Sequence, residues 1–321
     1  MLGFVEITPW HWAGFILFVS ACIAVDMGAF RRTARAVGFW EAAAWSGVWF
    51  LLAMAFAGLL VGLRGREEAA EFVTGYLIEL SLSLDNILVI ALIFTAFQVP
   101  PVLQRRVLVW GILGALAMRG AMIGVGTELV HHFHWTLYVF GAFLVLTGIK
   151  MLCAKKETVA PEKHPLLRFV RKIYPVAPQL DGQKFFTRWN GRRALTPLAL
   201  VLLVVETTDL LFAVDSVPAV FAVTQKAFIV FTSNVFAILG LRSLYFLLAG
   251  AIAMFRFLTA GLSLVLVFVG VKMLIAPHNQ APRWFQYEIP TTSSLLVIAV
   301  ILTLAIGLSI ATARRQKAFR V

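Results

Sequence analysis

The sequence predicts an all-α membrane protein of nine transmembrane helices containing two inverted three-helix repeats. Three observations carry that expectation. First, 60% of the 321 residues are hydrophobic and only 14% are charged, against about 45–50% and about 25% in soluble domains. Second, the apolar runs are long and carry no polar face. At about 20 residues per span, nine spans use about 180 residues and leave short connections. Third, polar residues inside the apolar runs recur in the same order in two separate stretches. A cytosolic enzyme, a secreted disulfide scaffold and a nucleic-acid-binding domain are excluded by this composition.

The spans are expected at about 12–30, 40–63, 72–97, 106–127, 134–153, 195–224, 227–250, 256–276 and 292–312. The formal charge of +12 is distributed by side. Arg31, Arg32, Arg35, Arg105, Arg106, ten Lys/Arg between 154 and 194, Arg256, Arg314, Arg315, Lys317 and Arg320 share one side, whereas Arg64, Arg66, Lys226 and Arg283 stand on the other. Basic loops mark the cytoplasmic side, so the N-terminus is expected outside and the C-terminus inside, in a plasma (inner) membrane. The first 30 residues have no basic stretch ahead of an apolar one, so no cleaved signal peptide is expected. Cys22 and Cys153 fall in apolar spans and read as small buried hydrophobes.

Residues 154–194 form a basic cytoplasmic connection rather than a span. Within it Leu166, Leu167, Phe169, Val170 and Ile173 share one face of a short helix, with Arg168, Arg171 and Lys172 opposite. This is either an interfacial helix resting on an anionic leaflet or a solvated loop that fixes topology. The chain is otherwise one transmembrane domain, with repeat 1 at about 72–153 and repeat 2 at about 195–276. Glu79-Leu-Ser-Leu-Ser-Leu-Asp85-Asn86 in the third span matches Asp209-Leu-Leu-Phe-Ala-Val-Asp215-Ser216 in the sixth. Arg119 matches Arg242, and Thr147-Gly-Ile-Lys150 matches Val269-Gly-Val-Lys272, at offsets of 130, 123 and 122 residues. Three spans is an odd number, so the two sets are oppositely oriented, a recurring transporter plan.

Ten ionisable groups lie in or beside spans: Asp26, Glu79, Asp85, Glu206, Asp209 and Asp215, with Arg119, Lys150, Arg242 and Lys272. At about 2.5 kcal/mol or more each, leaving them unpaired in lipid costs on the order of 25 kcal/mol, more than a domain's usual stability. They must face one another, water or an ion. The two arginines are expected to pair with acids, while Lys150 and Lys272 either pair or snorkel from span ends. Six acids against four bases leave two negative charges, which one divalent cation or two protons neutralise. The expected ligands are Glu79, Asp85, Asn86, Glu206, Asp209, Asp215 and Ser216; Asp26 is either an entry ligand or an interface charge. Oxygen donors without Cys or His suit Mg, Ca or Mn. Glu79 and Asp85 point about 120° apart on an ideal helix, and Pro218 is expected to break the sixth span and free carbonyls for a cation. His131, His132 and His134 beside Glu128 either capture a metal outside or mark the interface. The GxGD pattern of intramembrane aspartyl proteases is absent and no His or Ser partner set accompanies the acids, so the chain does not read as an enzyme.

These segments resemble the TerC/Alx family of integral membrane proteins. Besides the two acidic motifs, Asp209 through Phe221 as a whole, Asp181-Gly-Gln-Lys-Phe-Phe through Asn190-Gly-Arg-Arg193, and Trp40-Glu-Ala-Ala-Ala-Trp-Ser46 carry the likeness, which covers about 10–312. The resemblance implies a LysE-exporter-like fold and manganese efflux, with Glu79, Asp85, Glu206, Asp209 and Asp215 as the metal-binding acids. Thr207 stands where the family often has an aromatic residue. The reading that follows is export of Mn(II) by alternating access, with protons as counter-ion and no permanently bound cofactor. Asp85 and Asp215 are the expected principal ligands. The rival is a non-transporting membrane scaffold or insertion factor whose acids close on Arg119 and Arg242.

Overall fold

The computed structural model describes residues 7–29, 38–133, 135–153, 165–248, 257–277 and 286–318. Arg31, Arg32, Arg35, Lys155, Lys156, Lys163, Arg256, Arg283, Arg320 and His134 lie outside them. Helices dominate: α1 (Pro9–Ala29), α2 (Phe39–Arg64), α3 (Arg66–Ala96), α4 (Pro101–His132), α5 (Thr136–Cys153), α6 (Pro165–Ile173), α7 (Pro197–Phe221), α8 (Ala227–Leu248), α9 (Leu258–Ile275) and α10 (Thr291–Ala318). A hairpin of β1 (Phe186–Trp189) and β2 (Arg192–Leu195) precedes α7. Among the described residues nine helices are long and apolar enough to cross a membrane, and the short α6 is not one of them. The protein is an integral, multi-pass membrane protein.

Local sequence sets the helix ends. Pro101 opens α4 and Pro197 opens α7, where a missing N–H is harmless; Thr196 caps α7 by accepting from the Ala199 amide at 3.3 Å. A single residue, Gly65, turns α2 into α3 at φ 96°, a conformation open to glycine. At 31 residues α3 is about 46 Å long, longer than the roughly 30 Å hydrocarbon layer. Its first turns carry Glu67, Glu68 and Glu71, and Glu67 and Glu68 lie at the favourable end of the helix dipole.

The bundle has an inner set and a cover. α8 and α3 are the most enclosed, with 78% and 67% of their most apolar stretches buried, against 11% in α1. α4 and α7 complete the inner set, packing on each other and on α8 and α3. α1 and α2 cover α8 and α3, and α10 covers α3 and α9. α5 and α9 cross closely: a Cβ on Gly141 would lie 3.0 Å from the Gly270 carbonyl, and one on Gly148 would lie 2.9 Å from the Ser263 carbonyl. Small residues of this kind allow backbone contact in lipid. A shift of 122 residues converts each of these two contacts into the other.

One end of the bundle, here the basic end, carries α6 and the hairpin; the other is the far end. The hairpin turn Asn190-Gly191 has φ 48° and 74°, the geometry that Asn-Gly favours between two strands. Phe185, just before β1, meets the Trp110 ring edge-on and lies 5.2 Å from the Arg106 guanidinium. α6 forms over the expected stretch, but its apolar face divides. Leu167 is buried in a core cluster that includes α7, whereas Phe169 and Ile173 are exposed.

Three expectations need correction. Cys153 is exposed and Cys22 half-buried, both as free thiols, because Cys153 stands at the end of α5 and α1 is an outer helix that packs Cys22 only in part against the core. α7 is not broken: Pro218 sits in its last turn, where one hydrogen bond is lost and the Pro218 carbonyl still accepts from Ala222. The connection before α7 contains an ordered hairpin, signalled by the Asn-Gly pair.

Candidate functional site

The centre of the inner set holds a polar network in an apolar surround. α3 supplies Glu79 and Asn86, α4 Arg119, α7 Asp209 and Ser216, and α8 Asn234, each of them 5% exposed or less. Arg119 Nη1 donates to Glu79 Oε2 at 2.5 Å and to Ser216 Oγ at 3.2 Å. Its Nη2 and Nε donate to the two Asp209 oxygens at 3.2 and 3.4 Å. Asn86 Nδ2 donates to Asp209 Oδ1 at 2.7 Å, and Asn234 Nδ2 to Glu79 Oε1 at 2.6 Å. Two carboxylates thus share one guanidinium and one amide each. The cluster carries a formal charge of −1 with its acids ionised.

Each amide spends its N–H on a carboxylate and leaves its carbonyl oxygen over. Among the described residues Asn86 Oδ1 and Asn234 Oδ1 are buried without a hydrogen-bond partner, and so is Glu206 Oε2, one turn before Asp209. Glu206 rests on α4 at Gly114, where a Cβ would fall 2.0 Å from its Oε1. A cavity of about 20 Å³ adjoins Asn86 and Asp209, closed by Ile90, Leu108, Ile112 and Leu241. That volume admits one water-sized particle. A buried acceptor with no donor costs about 1–3 kcal/mol, so three around one net negative charge form a cation-seeking environment.

The other expected ligands stand apart from this centre. The ideal-helix geometry holds in α3, which is continuous, so Asp85 turns away from Glu79 and accepts from Thr259 of α9 at 3.1 Å. Asp215 is half-buried, hydrogen-bonds Thr147 and faces Lys150, both on α5. Asp26 pairs with Arg242 through side chain and carbonyl, as an interface charge. Among the described residues no three His, Cys, Asp or Glu side chains gather as a ligand cluster. The site is therefore centred on Glu79 and Asp209, with Asp85 and Asp215 outside it. His132 meets the Glu128 carboxylate and carbonyl and the rings of His131 and Phe133, and the Glu128 and His132 side chains are exposed. Lys150 is exposed at the end of α5, whereas Lys272 is buried.

Sequence reasoning passed over Asn234, Thr259, Gly114 and, at the far end, Glu71. Asn234 was detectable as a lone amide in an apolar helix, at the position where the other span set has Gly111 (offset 123). Nothing marks Gly114 among the 23 glycines, because its role depends on which residue of α7 packs against it.

Fold and site together define a polytopic helical membrane protein with an ion-paired, oxygen-rich centre. The Integral membrane protein TerC family matches residues 64–317, and the chain belongs to that family. It is 49% identical over 307 residues, 96% of this chain and 94% of the relative, to the uncharacterized membrane protein STKORF319 of Myxococcus xanthus. It is 46% identical over 308 residues, 92% and 93% of the two chains, to Alx of Escherichia coli strain K12, described as a proposed membrane-bound redox modulator. A membrane protein of Rickettsia bellii is 36% identical over 287 residues, 89% and 95%. No solved structure is significantly similar.

Proposed function

We propose that the protein exports a divalent cation, Mn(II) first among the candidates, across the bacterial inner membrane by alternating access. The basic end faces the cytoplasm, the N-terminus lies outside, and α3–α5 and α7–α9 are inverted repeats. The observation that carries the proposal is the pair Glu79 and Asp209 buried around one arginine, with Asn86, Asn234 and Glu206 oxygens left over beside them. Arg119 acts as the resident cation, holding the two acids together while no substrate is bound. A dication entering from the basic end takes its place on the carboxylates and amide oxygens, and Arg119 withdraws. Carrying two charges outward against the membrane potential costs about 4.6 kcal/mol per 100 mV, and proton uptake by the same carboxylates from outside is the simplest source of that work. The offset relation between the two α5–α9 glycine contacts supports the repeat reading.

A second reading has an observation in its favour. Arg119 closes on Glu79 and Asp209, and Arg242 on Asp26, as in a scaffold that moves nothing. Vesicles loaded with Mn(II) separate the two. Export is expected to fall at least tenfold in Glu79→Gln and Asp209→Asn, a loss of about 1.4 kcal/mol or more. Wild-type rates in both variants overturn the assignment of the site to these acids; a wild type that moves no metal and gains no thermal stability from Mn(II) overturns the export reading and favours the scaffold.

A further inference from the structure

At the far end α3, the α7–α8 turn, α9 and the start of α10 line an open chamber of about 820 Å³. Glu67, Glu71 and Glu288 line it together with Arg66, Lys226 and Lys272. Two of its ion-pair partners are already engaged. Lys226 reaches Glu68 at 3.3 Å and Glu71 at 3.2 Å, and Thr224 Oγ1 donates to Glu71 at 2.9 Å. Lys272 is different. It is only 8% exposed, lines the chamber, and its ammonium makes no hydrogen bond or ion pair with any described residue. Phe221 also lines the chamber and packs where a Cβ on Gly126 would be, at 2.8 Å. On α7 it stands little more than one turn beyond Ser216.

A nine-tenths-buried ammonium with no bonded partner is costly unless it faces water and nearby negative charge. The chamber provides both, because Glu67 and Glu288 carry no ion pair among the described residues. The same carboxylates are the groups on which an outgoing dication would linger. We propose that Lys272 is a tethered competitor cation of this exit chamber: its ammonium holds the chamber's carboxylates against an arriving dication, so that the dication is released and does not return. The inference rests on the cation-export reading and adds the means of release. The matching lysine of the other span set, Lys150, is exposed at the end of α5 beside Asp215, so the device belongs to the far end alone.

The test uses the full chain in nanodiscs with Mn(II) alone as probe, counted by electron paramagnetic resonance. Removing one positive charge several ångström from a dication in a watery chamber is expected to tighten binding about tenfold. Lys272→Gln should therefore bind Mn(II) about tenfold more tightly than wild type, Lys272→Arg should match wild type, and Glu288→Gln added to Lys272→Gln should cancel the gain. No gain in Lys272→Gln, or an equal gain in Lys272→Arg, overturns the proposal, the second because it marks a steric effect. Should Lys272→Gln fail to fold, Glu67→Gln and Glu288→Gln in the otherwise unchanged protein decide it. Weaker Mn(II) binding supports the chamber, and unchanged binding overturns it. A wild type that moves no Mn(II) sinks the export reading; export lost in Glu79→Gln and Asp209→Asn, with Mn(II) binding of Lys272→Gln unaltered, sinks only the lysine's role.

Discussion

Arg119 and Arg242 hold matching places in the two span sets and have opposite surroundings. Arg119 is enclosed by four helices and shared between two buried acids; Arg242 reaches half-buried Asp26, contributed by α1 from outside either set. The difference extends to their neighbours. Beside Glu79 the space is filled by Asn234, while at the matching position beside Asp209 stands Gly111, and a small cavity opens there. Two similar sequences thus give one closed half-site and one with room. In an alternating-access protein such asymmetry is expected of any single state, since the halves exchange roles between states.

The largest effect that would break this comparison is loss of the central arginine. Arg119→Met leaves Glu79 and Asp209 buried together without a cation, and removing one partner of a buried pair costs about 3–5 kcal/mol. Arg242→Met leaves one acid, 13% exposed at its side chain, without its guanidinium and should cost less, about 1.5–3 kcal/mol. Thermal unfolding in detergent reads both, and equal losses would show that the two arginines do the same work. Next in size is the packing of Glu206. Gly114→Ala places a methyl 2.0 Å from its carboxylate, and overpacking of this kind costs about 1–3 kcal/mol. Gly111→Ala, one turn away, meets only Val205 at 3.5 Å and should unfold within a degree or two of wild type. A neutral Gly114→Ala would mean that Glu206 turns elsewhere.

The smallest effect concerns the hairpin, outside the bilayer. Asp181 accepts from Thr187 Oγ1 at 2.7 Å and lies 3.2 Å from Lys184 Nζ. The Thr187 hydrogen bond, with the lysine's aid, holds its carboxyl below the ordinary range. A depressed folded-state pKa means that the added stability is present above the unfolded pKa and is lost as pH falls through the folded one. Amide exchange in 184–195 should therefore quicken relative to its intrinsic rate as pH drops through that range, and Thr187→Val should remove the pH dependence. An unchanged profile in Thr187→Val would detach Asp181 from the hairpin.

Much of the fold was legible in the sequence because lipid imposes a coarse rule. Apolar runs of about 20 residues must be helices, since no other open structure satisfies the backbone in hydrocarbon. Arg119, Glu79 and Asp209 were legible as members of a network for the same reason: ionised groups at that depth have to be compensated. Their partners were not. Asn234 reads like any polar residue in an apolar helix, and the Asn-Gly turn was visible, yet the hairpin around it depends on Phe185 docking between Trp110 and Arg106.

The sequence by itself determined how many helices there are, where charge lies along each, and that the acids recur in two matched sets. Periodicity and lipid chemistry act on a chain one segment at a time, and composition records them. Only the tertiary structure decided that Glu79 and Asp209 meet while Asp85 and Asp215 part, that α7 stays whole across Pro218, and that Lys272 turns into a chamber rather than toward lipid. Those outcomes follow from which helix faces pack together, which is settled by the fit of side chains from distant segments, such as Gly141 against Gly270 and Glu206 against Gly114.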